Sequence, residues 1–291
     1  MQQFFILGNP RSGTSLLRLI LNSHSKVVVP PESGFFLWWS KKYAEWNVDK
    51  SKNPELIDQY ISDVKSSKKM ETWNLDFNLV KANIYKQNPK DYLTLSQIIY
   101  QTYAFHRAKE PTVIGDKNNY YINHLETLYQ LVPSAKFLHI IRDGRDVACS
   151  YQELAKLDTN SPYKPDLPTN IEAIANEWLI NNSNILEFSK KIMRENFLSI
   201  RYEDLVLAIR EQAELMCSFL GISYDANMLQ YYKDNKQNVE EPISTLDWKK
   251  KTLEKPDTNN INKYKKILSI QEIENFNSVG GDMLRRFRYE F

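Results

Sequence analysis

The chain has 291 residues, with 38 Lys and Arg against 36 Asp and Glu, a formal net charge of +2. At 42% hydrophobic and 25% charged residues its composition is that of an ordinary globular protein, which excludes wholesale disorder, and its mixed signs exclude a basic nucleic-acid-binding footprint. Two cysteines (149 and 217) and four histidines without metal-ligand spacing argue against a zinc site or disulfide framework. The first eight residues lack a basic n-region and no run of ~18 apolar residues follows, so neither secretion nor a membrane span is expected.

Phe4-Phe5-Ile6-Leu7 is a short apolar run stopped by Gly8, the pattern of a buried strand. After Gly13, Leu16, Leu17, Leu19, Ile20 and Leu21 make the apolar face of a helix, with Ser12 or Thr14 available as its cap. Residues 26–29 read as a second strand, halted by Pro30-Pro31. Residues 35–46 carry six aromatics, either helix core or one wall of a pocket. Residues 47–112 read as mostly helical and polar, with an Asn/Lys/Gln-rich surface. Val113-Ile114 is a third strand ending at Gly115, and 136–141 a fourth, with a helix starting near Asp143. Residues 158–169 hold three prolines and read as a loop; 171–194 is a long helix, 197–202 a fifth strand and 205–220 an amphipathic helix closed by Gly221. The polar stretch 233–262, broken by Pro242 and Pro256, reads as a loop that orders on binding. No repeat or linker divides the chain, so one domain over 1–291 is expected. Short apolar strands alternating with helices predict an α/β fold: a P-loop-like parallel sheet flanked by helices on both faces.

Two segments carry chemistry. In residues 5–18 a buried strand, a tight loop and a helix start present backbone N–H groups and the positive end of a helix dipole, which together suit an anion. Gly8 and Gly13 keep the spacing of a Walker A loop, but Thr14 stands where its lysine should follow. The cation is instead Arg11, whose planar fork suits an oxyanion. In residues 140–150, Arg142 falls at the carboxyl end of a strand, where open α/β sheets bind ligands, and Ser150 lies on the following helix. A guanidinium and a hydroxyl so placed can grip one phosphate. Taken alone, each segment also reads as a plain turn.

Pro10-Arg-Ser-Gly-Thr-Ser-Leu-Leu-Arg18 resembles the 5′-phosphosulfate loop of the sulfotransferases, and the segment from Ile141 to Ser150 resembles their 3′-phosphate motif. Lys117 and Arg201-Tyr202-Glu-Asp-Leu-Val match as well. The resemblance implies 3′-phosphoadenosine 5′-phosphosulfate (PAPS) as donor and 3′-phosphoadenosine 5′-phosphate (PAP) as product. It assigns Arg11, Ser12, Gly13, Thr14, Ser15, Arg142, Ser150, Tyr202 and Lys263 to donor binding. Within the family it points to the tyrosylprotein sulfotransferases and their bacterial relatives, which carry arginine in the first loop. Their base is a glutamate about twenty residues further on, and Glu32 holds that position. Lys117 matches the lysine of their Asn-Lys-Asp-Pro segment, here without the proline.

Sulfuryl transfer by in-line attack needs a base for the acceptor's proton and cations around the sulfonate. Glu32, after a strand, can accept the proton or simply cap the next helix. Lys117 can neutralise charge growing on the bridging oxygen, or form a surface salt bridge with Asp116 or another acid. Arg11, Glu32 and Lys117 are therefore the catalytic candidates. Lys263, in a charged run, either reaches the phosphosulfate or is solvated; Tyr202 contacts the adenine or is merely buried. His24 and His139 read as packing residues, and no metal is needed. Region 34–112 is expected on the acceptor side, with 158–169 and 233–262 as lids. The acceptor is expected to be a small alcohol, phenol, amine or guanidine of secondary metabolism rather than a peptide, and the enzyme bacterial and cytoplasmic. Alternatives are a P-loop-type small-molecule kinase, against which the missing lysine counts, and a non-catalytic nucleotide-binding relative.

Overall fold

The computed structural model describes residues 1–238 and 240–290. Five parallel strands form one sheet: β1 (Gln2–Leu7), β2 (Val27–Val28), β3 (Val113–Lys117), β4 (Lys136–Ile141) and β5 (Phe197–Arg201). Their spatial order is β2-β3-β1-β4-β5. The chain therefore leaves β1 toward β2 and β3 on one side, then returns across it to β4 and β5. Register is direct, with Ile6 opposite both Lys117 of β3 and Leu138 of β4.

The apolar runs become strands because both sheet faces are covered. Phe4 and Ile6 point into one cluster with Leu17, Ile20, Leu138, Ile140 and Met216; helix α1 (Thr14–Asn22) supplies part of that layer. Phe5 and Leu7 point the other way, into a larger cluster with Phe35, Tyr60, Trp73, Ile98 and Phe137. Alternate side chains on one strand thus serve two cores, as the pleat requires. A third cluster gathers the helices Gly144–Ala155, Ile171–Ser189 and Ile270–Arg286 around Trp178 and Phe276, whose ring centroids lie 5.7 Å apart.

Several expectations need amendment. Residues 47–112 are helical but not a polar surface layer: Tyr60, Val64, Trp73, Val80, Ile84 and Ile98 are buried and build most of the larger core. Of the two readings of 35–46 the core one holds: Phe35, Phe36, Tyr43 and Trp46 belong to that cluster, and none lines the cavity at the strands' carboxyl ends. The stretch 233–262 is not an open loop: its described residues wind into Tyr231–Asn238 and short 3-10 turns over Ile243–Trp248, Lys250–Leu253 and Thr258–Asn260, with residue 239 outside the description. The helix expected over 205–220 is divided at Ala208, which leaves the helical region, into Tyr202–Leu207 and Ile209–Leu220. That expected over 171–194 ends at Ser189.

Candidate active site

The strand order sets the site. Across the carboxyl ends of β2, β3, β1, β4 and β5 stand, in that sequence, Glu32, Lys117, Arg11, Arg142 and Tyr202. All five line a single cavity of about 520 Å³. Segments more than a hundred residues apart converge there because the chain reverses its crossing direction on either side of β1, the position where open α/β sheets hold ligands.

The loop after β1 is short and tightly curled. Ser12 N–H donates to Asn9 O at 3.1 Å, Arg11 adopts φ 66° and Gly13 φ 98°. At Gly13 a Cβ would meet Tyr202 Cδ2 at 2.5 Å, so only glycine fits on both counts. Neither Ser12 nor Thr14 caps α1; Gly13 holds the cap position, and no cap side chain accepts from the first N–H groups. Among the described residues the positive end of α1 thus has no side-chain partner where Thr14 and Ser15 reach the cavity. The loop is braced from behind by Asn9, which donates to Tyr151 Oη at 3.0 Å and accepts from Asn181 at 2.7 Å.

Arg11 donates through Nε to Ser150 Oγ at 3.0 Å and through Nη2 to Trp248 O at 3.0 Å. Arg142 follows β4 directly and stacks its guanidinium 4.5 Å from the Tyr202 ring centroid. Its Nη2 donates to Asn260 O at 2.6 Å, while Nε is buried with no hydrogen-bond partner among the described residues. Asp143 caps the helix Gly144–Ala155, accepting from Arg145 N–H at 2.9 Å, and so fixes where Ser150 emerges. Burial first, and then the Arg142 charge, push the Arg11 guanidinium below its ordinary value. Two adjacent guanidiniums, Arg11 half-buried and Arg142 buried with an N–H unpartnered among the described residues, form a site for a polyanion.

At the other end, Lys117 Nζ donates to Glu32 Oε1, and Lys69 Nζ donates to Glu32 Oε2 at 2.7 Å. Burial alone would raise the Glu32 carboxyl, but the charges of Lys117, Lys249 and Lys69 hold it well below the carboxylate range. Lys117 is 2% exposed, and burial brings its ammonium down to about 8 despite Glu32. Eight cationic side chains and four carboxylates line the cavity, a strong local excess in a chain of net charge +2.

Of the residues singled out by sequence, Glu32, Arg11, Lys117, Gly13, Thr14, Ser15, Arg142, Ser150, Tyr202 and Lys263 all reach this cavity. Ser12 does not: it is fully buried behind the loop, its Oγ unpartnered. Lys117 pairs with Glu32 rather than Asp116, whose carboxylate accepts instead from Tyr100 and Tyr121 at 2.5 and 2.6 Å. Lys263 pairs with Glu153 at 2.8 Å. His139 is buried between Ser199 and Asn182, with burial bringing it down to about 4, and His24 bonds Ser223 O. The segments 158–169 and 233–262 meet at the cavity, where Thr159 Oγ1 donates to Asp247 at 2.6 Å and Ser161 Oγ to Ser244 O. Sequence reasoning missed Lys69, Lys249, Lys250, Lys251 and Tyr163, which also line the cavity. Their lysine runs read as solvated faces, and only the turns that carry them show otherwise.

Several comparisons bear on this geometry. Protein-tyrosine sulfotransferase A of Caenorhabditis elegans is 24% identical over 234 residues, 78% of this chain, and the chain spans about half (52%) of that relative's length. The solved sulfotransferase domain from the curacin biosynthetic pathway superposes with a TM-score of 0.62 at 23% identity, covering 100% of this chain and 99% of that one. Mouse sulfotransferase SULT7A1, solved in complex with PAP, gives a TM-score of 0.50 at 12% identity, over 96% and 82% of the two chains. These two likenesses are of fold. The model of the sulfotransferase family matches residues 3–226, a span that takes in β1 to β5 and both phosphate-type motifs. The chain belongs to the sulfotransferase family.

Proposed function

We propose that the protein transfers the sulfonate of PAPS to a hydroxyl or to an amine or guanidine nitrogen of a small acceptor, with Glu32 as general base. The observation that carries this reading is the order of groups along one cavity: Tyr202 and Arg142 at one end, Arg11 in the middle, Lys117 and Glu32 at the other. The unpartnered Nε of Arg142 and the open start of α1 fit a ligand with phosphate at two positions. PAP, bound in the mouse enzyme of similar fold, has that character. When bound, PAPS supplies an activated sulfonate on a phosphate leaving group.

The chain's own groups then divide the work. Arg142, Ser150 and Tyr202 hold the 3′-phosphate and adenosine end, Ser150 also accepting from Arg11 Nε, and Lys263 reaches toward the phosphosulfate. Arg11, Thr14, Ser15 and the first N–H groups of α1 hold the 5′ end, with Gly13 giving close backbone approach. Lys117 offsets charge on the leaving oxygen, and Glu32 takes the acceptor's proton. The hydrogen-bonded segments 158–169 and 233–262 serve as lids that exclude water. Their contact across the cavity supports a small acceptor over a peptide, in keeping with secondary metabolism in a bacterial cytoplasm. Among the described residues no helix is long and apolar enough to cross a membrane.

Calorimetry and thermal unfolding with PAP test the reading. At a hundredfold excess over its dissociation constant PAP should add ~2.7 kcal/mol of stability. ATP with magnesium binding in place of PAP would instead support the kinase alternative. Incubation with PAPS and a mixed panel of phenols, alcohols, amines and guanidines, followed by mass spectrometry for an added sulfonate, identifies the acceptor. PAP binding without any transfer would favour the non-catalytic alternative.

A further inference from the structure

The two oxygens of Glu32 are held by different lysines, and the two lysines are built differently. Lys117 is the last residue of β3, buried at the floor of the cavity, and its Nζ holds Oε1. Lys69 comes from outside the sheet, holds Oε2 at 2.7 Å, and lies 5.6 Å from the centroid of the Tyr163 ring. It sits at φ 68° as the cap of the turn Met70–Trp73, whose Met70 and Trp73 are anchored in the larger core. Trp73 Nε1 donates to Pro31 O at 3.0 Å, one residue before Glu32. The turn therefore grips the Glu32 segment twice, once by its backbone and once by its carboxylate. The other charged groups around Glu32 have separate engagements: Lys249 pairs with Glu241, Asp116 with two tyrosine hydroxyls, and Arg11 with Ser150 and Trp248.

We propose that Lys69 is the positioning residue of the base: it keeps Oε2 engaged throughout, so that Oε1, released when Lys117 turns to the donor, is the oxygen that faces the acceptor. This rests on the sulfotransferase reading above. Glu32 takes the acceptor's proton through Oε1 as the bond from acceptor to sulfur forms. The bond from sulfur to the phosphate oxygen breaks, and its electron pair stays on that oxygen, beside Lys117. Without Lys69 the freed carboxylate can rotate, and its proton affinity is no longer held down by a permanent partner.

The test follows the Glu32 carboxyl by carbon NMR in protein labelled at the glutamate carboxyl carbons, with the signal assigned by its loss in Glu32→Gln. Wild type, Lys69→Met and Lys69→Arg are titrated with and without saturating PAP. Lys69→Met should raise the Glu32 midpoint by about 1–3 pH units, the range for losing a close opposite charge, and Lys69→Arg should restore it. With PAP bound, the wild-type midpoint rises as Lys117 is drawn away, yet the gap to Lys69→Met persists. Titrations of wild type and Lys69→Met that coincide in the presence of PAP would overturn the proposal, because Lys69 would then be released together with Lys117. Lys69→Gln, which keeps a hydrogen-bond donor without the charge, serves as the second variant if Lys69→Met does not fold. Calorimetry separates the two readings: wild-type protein that fails to bind PAP refutes the donor assignment. The PAP-free titration then decides the Lys69–Glu32 pairing by itself.

Discussion

Arg142 donates from Nη1 to the backbone oxygen of Arg11 at 3.3 Å, joining two loops that lie 131 residues apart in sequence. The contact places two cations of like sign side by side. Among the described residues no carboxylate forms an ion pair with Arg11, and the one near Arg142, Asp146, lies 4.0 Å away. Such a pair is tolerated because backbone oxygens and the Tyr202 face share the charge. An arriving anion relieves the repulsion.

Arg142→Ala should therefore weaken PAP binding more than it affects folding. A charge-assisted bond to phosphate is worth ~1.5–3 kcal/mol, which corresponds to roughly a 10–150-fold loss of affinity by calorimetry. Arg142→Lys should recover only part of this, since the planar stack on Tyr202 is lost. Unchanged PAP affinity in Arg142→Ala would remove this residue from the donor site.

Glu32→Gln keeps the shape of the base and removes its proton-accepting charge. Turnover with any acceptor found by the mass-spectrometric screen should fall by ~10²–10⁴-fold. PAP affinity should persist, because the donor's phosphates are held at Arg11 and Arg142. A variant with wild-type turnover would show that the acceptor loses its proton elsewhere.

Much of this site was legible in the sequence because its parts are local. The stop of an apolar run at Gly8, the arginine before Gly13 and the arginine after 136–141 each mark a strand's carboxyl end without reference to the rest of the chain. The order β2-β3-β1-β4-β5 was not legible, since adjacency of parallel strands depends on crossovers and leaves no local trace. The burial of residues 47–112 was missed for a related reason. Tyr60 and Val64 share the helix Pro54–Ser66, while Trp73 and Val80 sit on the turn Met70–Trp73 and the helix Phe77–Gln87; polar faces dominate the composition of all three, and only their gathering with Phe5 and Phe137 reveals a core. Lys69 and Lys249 were hidden because each lies in a lysine run that reads as a solvated face, and only the turns that carry these runs bring them to the cavity.

Two glycines with left-handed backbones offer a paired comparison. Gly221, at φ 72°, ends the helix Ile209–Leu220 and has nothing within 4 Å of a would-be Cβ. Gly221→Ala should cost only the conformational penalty, ~1–2 kcal/mol, and leave PAP binding intact. Gly13→Ala adds a clash with Tyr202 to the same penalty and so displaces the ring that backs Arg142. It should lose PAP affinity at least tenfold as well as stability. Equal effects of the two substitutions on PAP binding would mean that the contact of Gly13 with Tyr202 does not shape the site.

Asp116, beside Lys117 on β3, gives the fold a pH signature of its own. Burial raises its carboxyl from 3.8 to about 6, against the opposing donations of Tyr100 and Tyr121. Between those values the folded chain binds more protons than the unfolded one, so this group makes stability fall as pH rises from about 4 to about 6, and the loss persists above. The full effect is on the order of 3 kcal/mol. Asp116→Asn has no proton to lose. In urea titrations its stability relative to wild type should improve by about that amount between pH 4 and pH 6.5. A constant difference across the range would mean that folding does not raise the Asp116 carboxyl above its unfolded value.

The segment over the cavity is anchored beneath it by one buried ion pair. Arg18 of α1 meets Glu241 at 2.8 Å, both about 1% exposed, and Lys249 bonds the other carboxylate oxygen. Burial alone would raise the Glu241 carboxyl, but the charges of Lys249 and Arg18 take it down to about 2. Its stabilising contribution is therefore complete above 4.5 and is lost as pH falls toward 2. Glu241→Gln should destabilise the protein by ~3–5 kcal/mol at neutral pH, the usual result of leaving a buried cation unpaired, and by less at pH 3. The double variant Arg18→Met, Glu241→Met removes both charges and should recover most of that stability. It also frees Lys249, whose charge acts on both Glu32 and Lys117. If the pair serves to fix this segment, the double variant will be stable yet bind PAP more weakly. If PAP affinity is unchanged, the bonds of Trp248 to Arg11 and of Asn260 to Arg142 suffice to hold the segment in place.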